Sequence, residues 1–317
     1  MHGGKVGGTV AEHLDSTGVP GVLIALQEKN VKYDSHTIEV HKGQQLEPWY
    51  MRINSAGQVP TLQDGEKIVK ESEDIVDYID REFPNDSKLI PDLSTEVGKE
   101  VVKWRKLLHA VPVVMITYGL YCNPELSTSG LKIPKCLFRS KEDILVSFQL
   151  FEKKMEQLSD LHPDLREAYL AKICAIHDLK VRIDDKEGVV RVLMELESTL
   201  DQVEEQLNKV DADPSKELWF CGQQFTAADI TLCVLMGRLD LLGLSERYHS
   251  KNKRLRLHQY WLQAKKRPTI NRVVVNVRKE MMKQRLKKNA MTALPLIGGL
   301  VALGLAAGLA FVFAQKR

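Results

Sequence analysis

The sequence lacks the short motifs that usually mark metal and nucleotide sites. Its five cysteines show neither CxxC nor CxH spacing, and its nine histidines form no HExxH motif. The sequence contains no Walker loop and no GxGxxG motif. Its early glycines also precede any strand that a phosphate-binding loop would follow. We therefore expect no metal ion, and we expect no nucleic-acid partner.

A secretory signal is also missing, since residues 1–18 contain neither a basic cluster nor an apolar stretch. The body should therefore face the cytosol, where thiols stay reduced. The same stretch lacks a convincing strand and is treated as an atypical N-terminus. A truncated or alternative start and a decayed site would both explain it.

Charge is absent from residues 289–315, and the run Leu294–Ala314 is almost wholly apolar. At about 1.5 Å per residue this run spans roughly 30 Å, the thickness of a bilayer's hydrocarbon core. We expect residues 291–317 to form a transmembrane tail anchor. Gly304 and Gly308 make a GxxxG pair, which either packs two anchors together or reflects the general frequency of glycine in such helices.

The residues before the anchor are strongly basic. Residues 265–317 contain 12 Lys or Arg and one acid, Glu280, so residues 1–264 carry a net charge of about −8 within a chain of +3. A moderately apolar anchor with basic flanks is typical of the mitochondrial outer membrane, with peroxisomes as a second destination. Residues 271–290 read as a basic amphipathic segment that lies on anionic lipid.

The N-terminal part of the chain has the order of a thioredoxin-like domain over residues 19–83, with its first strand missing or degenerate. Apolar spacing predicts a helix over Val19–Asn30, and alternation predicts a strand over Lys32–Val40. Asp64-Gly65 predicts a tight type I′ hairpin turn. A helix capped by Ser72 follows, and the proline-bounded residues 84–93 form a linker.

Residues 94–270 are predicted to be helical, beginning with one helix over Thr95–Met115. An insertion spans residues 119–188 and contains one helix capped by Ser140 and another that starts near Pro163. A heptad stripe then runs through Val189, Leu193, Leu196, Leu200, Val203, Leu207 and Val210. Two interpretations stay open: one face of a long core helix, or a coiled-coil helix that projects from the body or pairs with itself.

Two motifs resemble those of the glutathione transferase superfamily. The first combines Val59-Pro60 with Glu71-Ser72, and the second is LWFCGQQFTAADI at residues 218–230. In the second, Thr226-x-x-Asp229 is a capping box with a role in folding. The resemblance implies a thioredoxin-like N-terminal domain and a helical C-terminal domain. It also implies a cis proline, and glutathione held by Val59, Pro60, Glu71 and Ser72.

Transferase chemistry also needs a side chain that lowers the thiol pKa of glutathione. Ser16 is a weak candidate and Thr17 is its neighbour, while no Tyr or Cys precedes Tyr33. This departure argues against catalysis and leaves glutathione as a ligand that the resemblance allows rather than requires.

The whole chain resembles the ganglioside-induced differentiation-associated protein family. The likeness runs through EPWYMRINSAGQVPTL (47–62), HPDLREAYLAK (162–172), LDQVEEQL (200–207) and the anchor. It implies a regulator of mitochondrial fission that contacts outer-membrane lipid and binds protein partners through the helical insertion. Lys70 stands where some members carry a bridging cysteine, so a homodimer, which stays open, would lack that disulfide.

Two other functions are also compatible with the sequence. One is a membrane-bound glutathione transferase with weak activity on lipophilic electrophiles, which would need Ser16 or Thr17 at the thiol. The other is a binding module for an apolar acid in the cleft between the domains, with Arg105 or Lys106 as counter-ion.

Overall fold

The computed structural model of the chain describes residues 6–12, 16, 18–130, 140–210, 217, 219–276 and 279. The predicted anchor, including Leu294, Gly304, Gly308 and Ala314, lies outside this part. Most of the basic segment, residues 271–290, lies outside it too. Within the described residues, no helix combines the length and the apolar composition that crossing a bilayer requires.

The N-terminal half is a four-stranded sheet with helices. Its elements are β1 (Val6–Glu12), α1 (Val19–Glu28), β2 (Lys32–Thr37), α2 (Pro48–Ile53), β3 (Thr61–Asp64), β4 (Lys67–Lys70) and α3 (Ser72–Glu82). The strand order is β2-β1-β3-β4. Strand β1 runs parallel to β2 and antiparallel to β3, which pairs with β4. This order is that of a thioredoxin-like sheet.

The first strand was expected to be missing or degenerate; it is present, with an irregular register against β2 between Val6 and Thr9. Strand β1 is present, and Val10 is fully buried opposite Leu62. The strand could not be recognised from the sequence, because its glycines have no side chain to create an alternating polar and apolar pattern. At Gly8 the glycine is needed: a Cβ there would lie 1.6 Å from the carbonyl oxygen of Gln63 on β3.

The predicted hairpin is present, but its turn differs from the expectation. Asp64 pairs with Lys67, leaving Gly65 and Glu66 as a two-residue loop. Gly65 has φ of +60°, whereas Glu66 is not in the left-handed region. A type I′ turn needs both central residues there, so the glycine at the first central position is more typical of type II′.

The C-terminal half is helical. Its helices are α4 (Glu96–His109), α5 (Val113–Cys122), α6 (Lys141–Leu161), α7 (Arg166–Asp184), α8 (Lys186–Lys209), α9 (Ala227–Leu241), α10 (Ser245–Tyr248), α11 (Leu255–Ala264) and α12 (Pro268–Ile270). The single helix expected over Thr95–Met115 is two helices, because Pro112 cannot donate a backbone hydrogen bond inside a helix. As predicted, the Ser140 hydroxyl caps α6, accepting from the Asp143 amide at 3.2 Å.

The insertion packs against the thioredoxin-like half instead of extending away from it. Leu46 and Met51, from the connection between β2 and β3, form a separate hydrophobic cluster with residues of α6, α7 and the turn between them: Met155, Leu165, Tyr169 and Ile173. The Tyr169 hydroxyl donates to the Leu46 carbonyl at 2.9 Å. The helical insertion is therefore part of the folded body.

The heptad stripe lies on α8 and is buried within the same chain. No stripe residue from Val189 to Leu207 exposes more than 2% of its surface, and Val210, at the end of the helix, is half-buried. Tyr248 of α10 donates its hydroxyl to the Leu193 carbonyl at 2.7 Å. The core interpretation is correct and the projecting coiled coil was wrong, since 3.5- and 3.6-residue periods are hard to separate over three heptads.

The folded body continues beyond the predicted boundary at residue 270. A π-helical turn spans Asn271–Val275, with Val273 and Val274 buried. A Cβ on Gly237 of α9 would lie 2.0 Å from Val274 Cγ1, so the glycine makes room for this turn. These two valines pack into the core, and their assignment to a membrane-surface helix was wrong.

Candidate ligand-binding cleft

Three predicted site residues converge where α1 and α3 begin. The Val59–Pro60 peptide is cis, as the resemblance implied. A Cβ on Gly18, just before α1, would lie 3.1 Å from Pro60 Cδ and 3.2 Å from Ser72 Oγ. The proline ring, the Ser72 hydroxyl and the start of α1 therefore form one wall.

Ser72 does not cap its helix. It is the first helical residue, and Glu71 occupies the cap position with φ of +60° and no side-chain cap bond. A non-glycine residue in this region is uncommon and costs about 1–3 kcal/mol. The Ser72 hydroxyl has no hydrogen-bond partner among the described residues, so it is available to a ligand beside the open amides of the first turn.

Ser16 is engaged within the body. Its hydroxyl donates to the Val59 carbonyl at 3.0 Å and accepts from the Gly18 amide at 3.3 Å. That carbonyl belongs to the residue whose backbone the resemblance pairs with glutathione. Thr17, the other hydroxyl candidate, lies outside the described residues. In this arrangement the Ser16 hydroxyl is directed at the backbone and not at a thiol.

Three of the described cysteines are poor candidates for a substitute nucleophile. Burial raises the pKa of the Cys221 and Cys233 thiols, so both stay protonated at neutral pH. Burial also raises the pKa of the half-buried Cys122 thiol. In the part of the chain that the structure describes, no group of three His, Cys, Asp or Glu side chains is placed to hold a metal ion.

A cavity of about 810 Å³ opens beside this wall. Gly18, Gln58 and Ser72 line it from the thioredoxin-like half, and Val111, Met115 and Tyr118 line it from the region of α5. The insertion contributes Phe148, Phe151, Lys172 and Ile176, and α9 contributes Ile230 and Val234. Most of this surface is apolar, so the cavity suits a ligand with an apolar body and a small polar end.

Arg105 lines the cavity but is already paired. Its side chain is buried, with Nη1 2.7 Å from Asp77 Oδ1 and Nε 3.8 Å from Glu73 Oε1. These carboxylates neutralise the charge that an acidic ligand would need. Lys106 is exposed and lies outside the cavity wall. Arg105 therefore lies at the expected cleft with its charge already shared with two carboxylates, whereas Lys106 does not reach it; the role of Arg105 as a ligand counter-ion stays a prediction.

Sequence patterns missed two polar residues of the cavity, Gln45 and Lys172. Gln45 is 7% exposed, and its Oε1 has no hydrogen-bond partner among the described residues. Lys172 arrives on α7 from the insertion. The backbone carbonyls that its side-chain amine contacts belong to residues more than a hundred positions earlier in the chain. Neither local spacing nor composition could therefore indicate these contacts.

The capping box is present and does more than close a helix. Asp229, fully buried, accepts from the Thr226 amide at 2.8 Å, the Phe220 amide at 2.7 Å and the Tyr260 hydroxyl at 2.9 Å. It therefore joins the start of α9 to α11 and to the turn at residues 219–222. None of its contacts involves the cavity, in agreement with a role in folding.

Comparisons with known proteins agree with this fold. Residues 15–87 match the glutathione S-transferase N-terminal domain family. Human ganglioside-induced differentiation-associated protein 1-like 1 is 29% identical over 81% of this chain and 70% of its own length. Glutathione S-transferase TCHQD of Arabidopsis thaliana is 26% identical over 80% of this chain and 84% of its own.

Among solved structures, glutathione transferase F2 from Populus trichocarpa superposes with a TM-score of 0.56 at 19% identity, over 86% of this chain and 99% of that one. At this identity the likeness shows the fold. The sequence relatives confirm the expected resemblance: over most of its length the chain is similar to a ganglioside-induced differentiation-associated protein, and its first domain matches the glutathione S-transferase N-terminal family.

Proposed function

We propose that the protein regulates mitochondrial fission and network shape from the outer mitochondrial membrane, with its transferase-like body facing the cytosol. The resemblance to the ganglioside-induced differentiation-associated protein family and the predicted anchor at residues 291–317 support this proposal. Peroxisomes are a second destination for the same anchor. Anionic lipid would attract the basic residues before the anchor.

One observation favours a binding role over catalysis: the hydroxyl of Ser16 is bonded to the Val59 carbonyl at 3.0 Å. A transferase needs a donor aimed at the sulfur of glutathione to stabilise the thiolate. With this donor used inside the body, the cleft retains the shape of a ligand site without the group that would activate a thiol. Among the residues that the structure describes, the rival activity on lipophilic electrophiles therefore has no identified catalyst.

Protein partners would meet the insertion on its outer surface. Val146 and Leu150 lie one turn apart on α6 and are 52% and 63% exposed. Val181 on α7 is 73% exposed. Apolar side chains presented to solvent in this way are suited to a protein contact. The body's own pairing into a homodimer is a separate question that sedimentation of the full chain would answer.

The cellular test compares mitochondrial networks in cells that express the full chain, the chain without residues 291–317, or Val146→Ser/Leu150→Ser. We expect the full chain to sit on mitochondria and shorten the network. The version without the anchor should stay in the cytosol and leave the network unchanged. The double variant should reach mitochondria without shortening the network. A full chain that sits elsewhere, or leaves the network untouched, would sink the proposal.

The biochemical test titrates glutathione into the full chain in detergent and assays thiol conjugation on the same sample. We expect no turnover above background and no effect of Ser16→Ala on that background. Any weak binding should fall in Ser72→Ala, because the free hydroxyl lies on the cavity wall. Turnover that disappears in Ser16→Ala would instead establish the transferase and refute the binding role.

A further inference from the structure

Lys172 holds an unusual position in the wall of the cavity. Its half-buried ammonium nitrogen donates to the Ala56 carbonyl at 2.6 Å and to the Gly57 carbonyl at 3.0 Å. Among the described residues it forms no ion pair with a carboxylate. The two carbonyls are polar but uncharged, so no carboxylate offsets the cost of burying a positive charge at this nitrogen.

The number of acceptors also fits the neutral amine. An ammonium has three N–H donors, whereas a neutral amine has two and a lone pair. Ala56 and Gly57 provide two acceptors, which satisfy the neutral form completely. The remaining valence of the nitrogen, a proton or a lone pair, is then free for a ligand in the cavity that Lys172 lines.

The charged side chains near Lys172 do not bring the pKa of its amine back to the ordinary value for lysine. The charged side chains on the elements around it include Glu47 and Lys154, paired at 2.6 Å, and Arg52 and Asp164, paired at 3.0 Å. Glu152 on α6 lies 3.1 Å from Lys180 and 3.3 Å from His177, and Asp178 and Arg182 line the same cavity. Burial lowers the pKa of the Lys172 amine to about 8. An ordinary lysine is about 0.1% neutral at pH 7.4, whereas an amine with that pKa is about 20% neutral.

The wall beside Lys172 is apolar. Ala175, Ile176 and Leu179 line the cavity at i+3, i+4 and i+7 from Lys172, so they continue along the same face of α7. Seven residues of helix extend this strip about 10 Å from the amine. A ligand that reacts at Lys172 can therefore lay an apolar chain along the strip.

We propose that Lys172 is a nucleophilic amine that condenses reversibly with the carbonyl group of apolar aldehydes held in this cavity. The nitrogen lone pair attacks the carbonyl carbon, a C–N bond forms, and an amine proton passes to the oxygen to give a carbinolamine. The oxygen then leaves as water and a C=N bond forms. Aldehyde and amine give imine and water without oxidation or reduction, and the site does not depend on the role in fission.

The test exposes the full chain in phospholipid nanodiscs to nonanal at pH 7.4, reduces the imine with sodium borohydride and maps the modified lysines by mass spectrometry. Lys153, exposed on α6, is the internal reference. We expect at least tenfold faster labelling at Lys172 than at Lys153. Labelling at Lys172 should rise tenfold per pH unit and level off near pH 8, whereas labelling at Lys153 should continue to rise.

Two controls make the result decisive. Lys172→Arg keeps the positive charge and the donors to Ala56 and Gly57 without a nucleophilic amine, so it should fold normally and lose the fast label. Lys153→Arg should keep that label. Propanal, too short for the apolar strip, should react at Lys172 at least tenfold more slowly than nonanal. Equal rates at the two lysines, or equal rates for the two aldehydes, would overturn the proposal.

Discussion

The carboxylate of Asp240 should carry a large share of the stability of the C-terminal half. At the end of α9, its Oδ1 accepts from the Ser245 hydroxyl at 2.6 Å and lies 3.0 Å from His249 Nε2, while its Oδ2 accepts from Trp261 Nε1 at 2.9 Å. Burial would raise the pKa of Asp240, but the contacts with His249 and Ser245 outweigh it and hold the pKa at about 2. Three elements, α9, α10 and α11, meet at this group.

The difference from the ordinary aspartate pKa of about 3.9 corresponds to about 2 kcal/mol of folding free energy at neutral pH. Because the folded-state pKa is depressed, this contribution is complete above about pH 4 and is lost as the pH falls through about 2. Asp240→Asn should therefore lose about 2 kcal/mol at pH 7. At roughly 2–4 °C per kcal/mol, its melting temperature should fall by about 4–8 °C.

The assay is thermal unfolding of the wild type and Asp240→Asn, full chains in the same detergent, from pH 7 to pH 3. Comparing the two chains at each pH cancels the other titrating carboxylates. The gap between them should stay constant down to about pH 5 and shrink to about half by pH 3. A gap near zero at pH 7, or one that does not change with pH, would show that the carboxylate charge does not stabilise this junction.

Two further substitutions test the packing. Leu200→Ala on α8 should cost about 2–5 kcal/mol in urea unfolding without changing the sedimentation coefficient, since the stripe is buried in its own chain. Met194→Ala, at a side chain 60% exposed on the same helix, should cost less than about 0.5 kcal/mol; a change of assembly in Leu200→Ala with unchanged stability would revive the coiled coil. Gly237→Ala should cost about 1–3 kcal/mol by overpacking against Val274, and Val274→Ala should recover part of that loss in a double-mutant cycle. Additive losses would mean that the two residues are not in contact.

Local sequence determined most of the elements. The hairpin residues, the capped start of α6 and the capping box before α9 were predictable because each depends on residues a few positions apart. Strand β1 was not predictable, since Gly7 and Gly8 carry no side chains and its pairing partners lie in β2 and β3.

The site was predictable only where it repeats the superfamily pattern. Pro60 and Ser72 lie together as the resemblance implied, but the engagement of Ser16 by Val59 depends on a tertiary contact across 43 residues. The placement of Lys172 depends on one across 116. Helix α8 also shows that local sequence does not identify distant contact partners. Its periodicity predicted a buried face but not whether the residues that cover this face belong to the same chain or to another.

The packing of the insertion on the connection between β2 and β3 has a consequence for biosynthesis. The hydrogen bond between Tyr169 and Leu46 joins residues 123 positions apart. At about 5–20 residues per second, translation reaches Tyr169 roughly 6–25 s after Leu46. Until then the surface that covers Leu46 and Met51 is incomplete, so the thioredoxin-like part of the chain leaves the ribosome as an unfinished domain and needs its own later sequence to complete its fold.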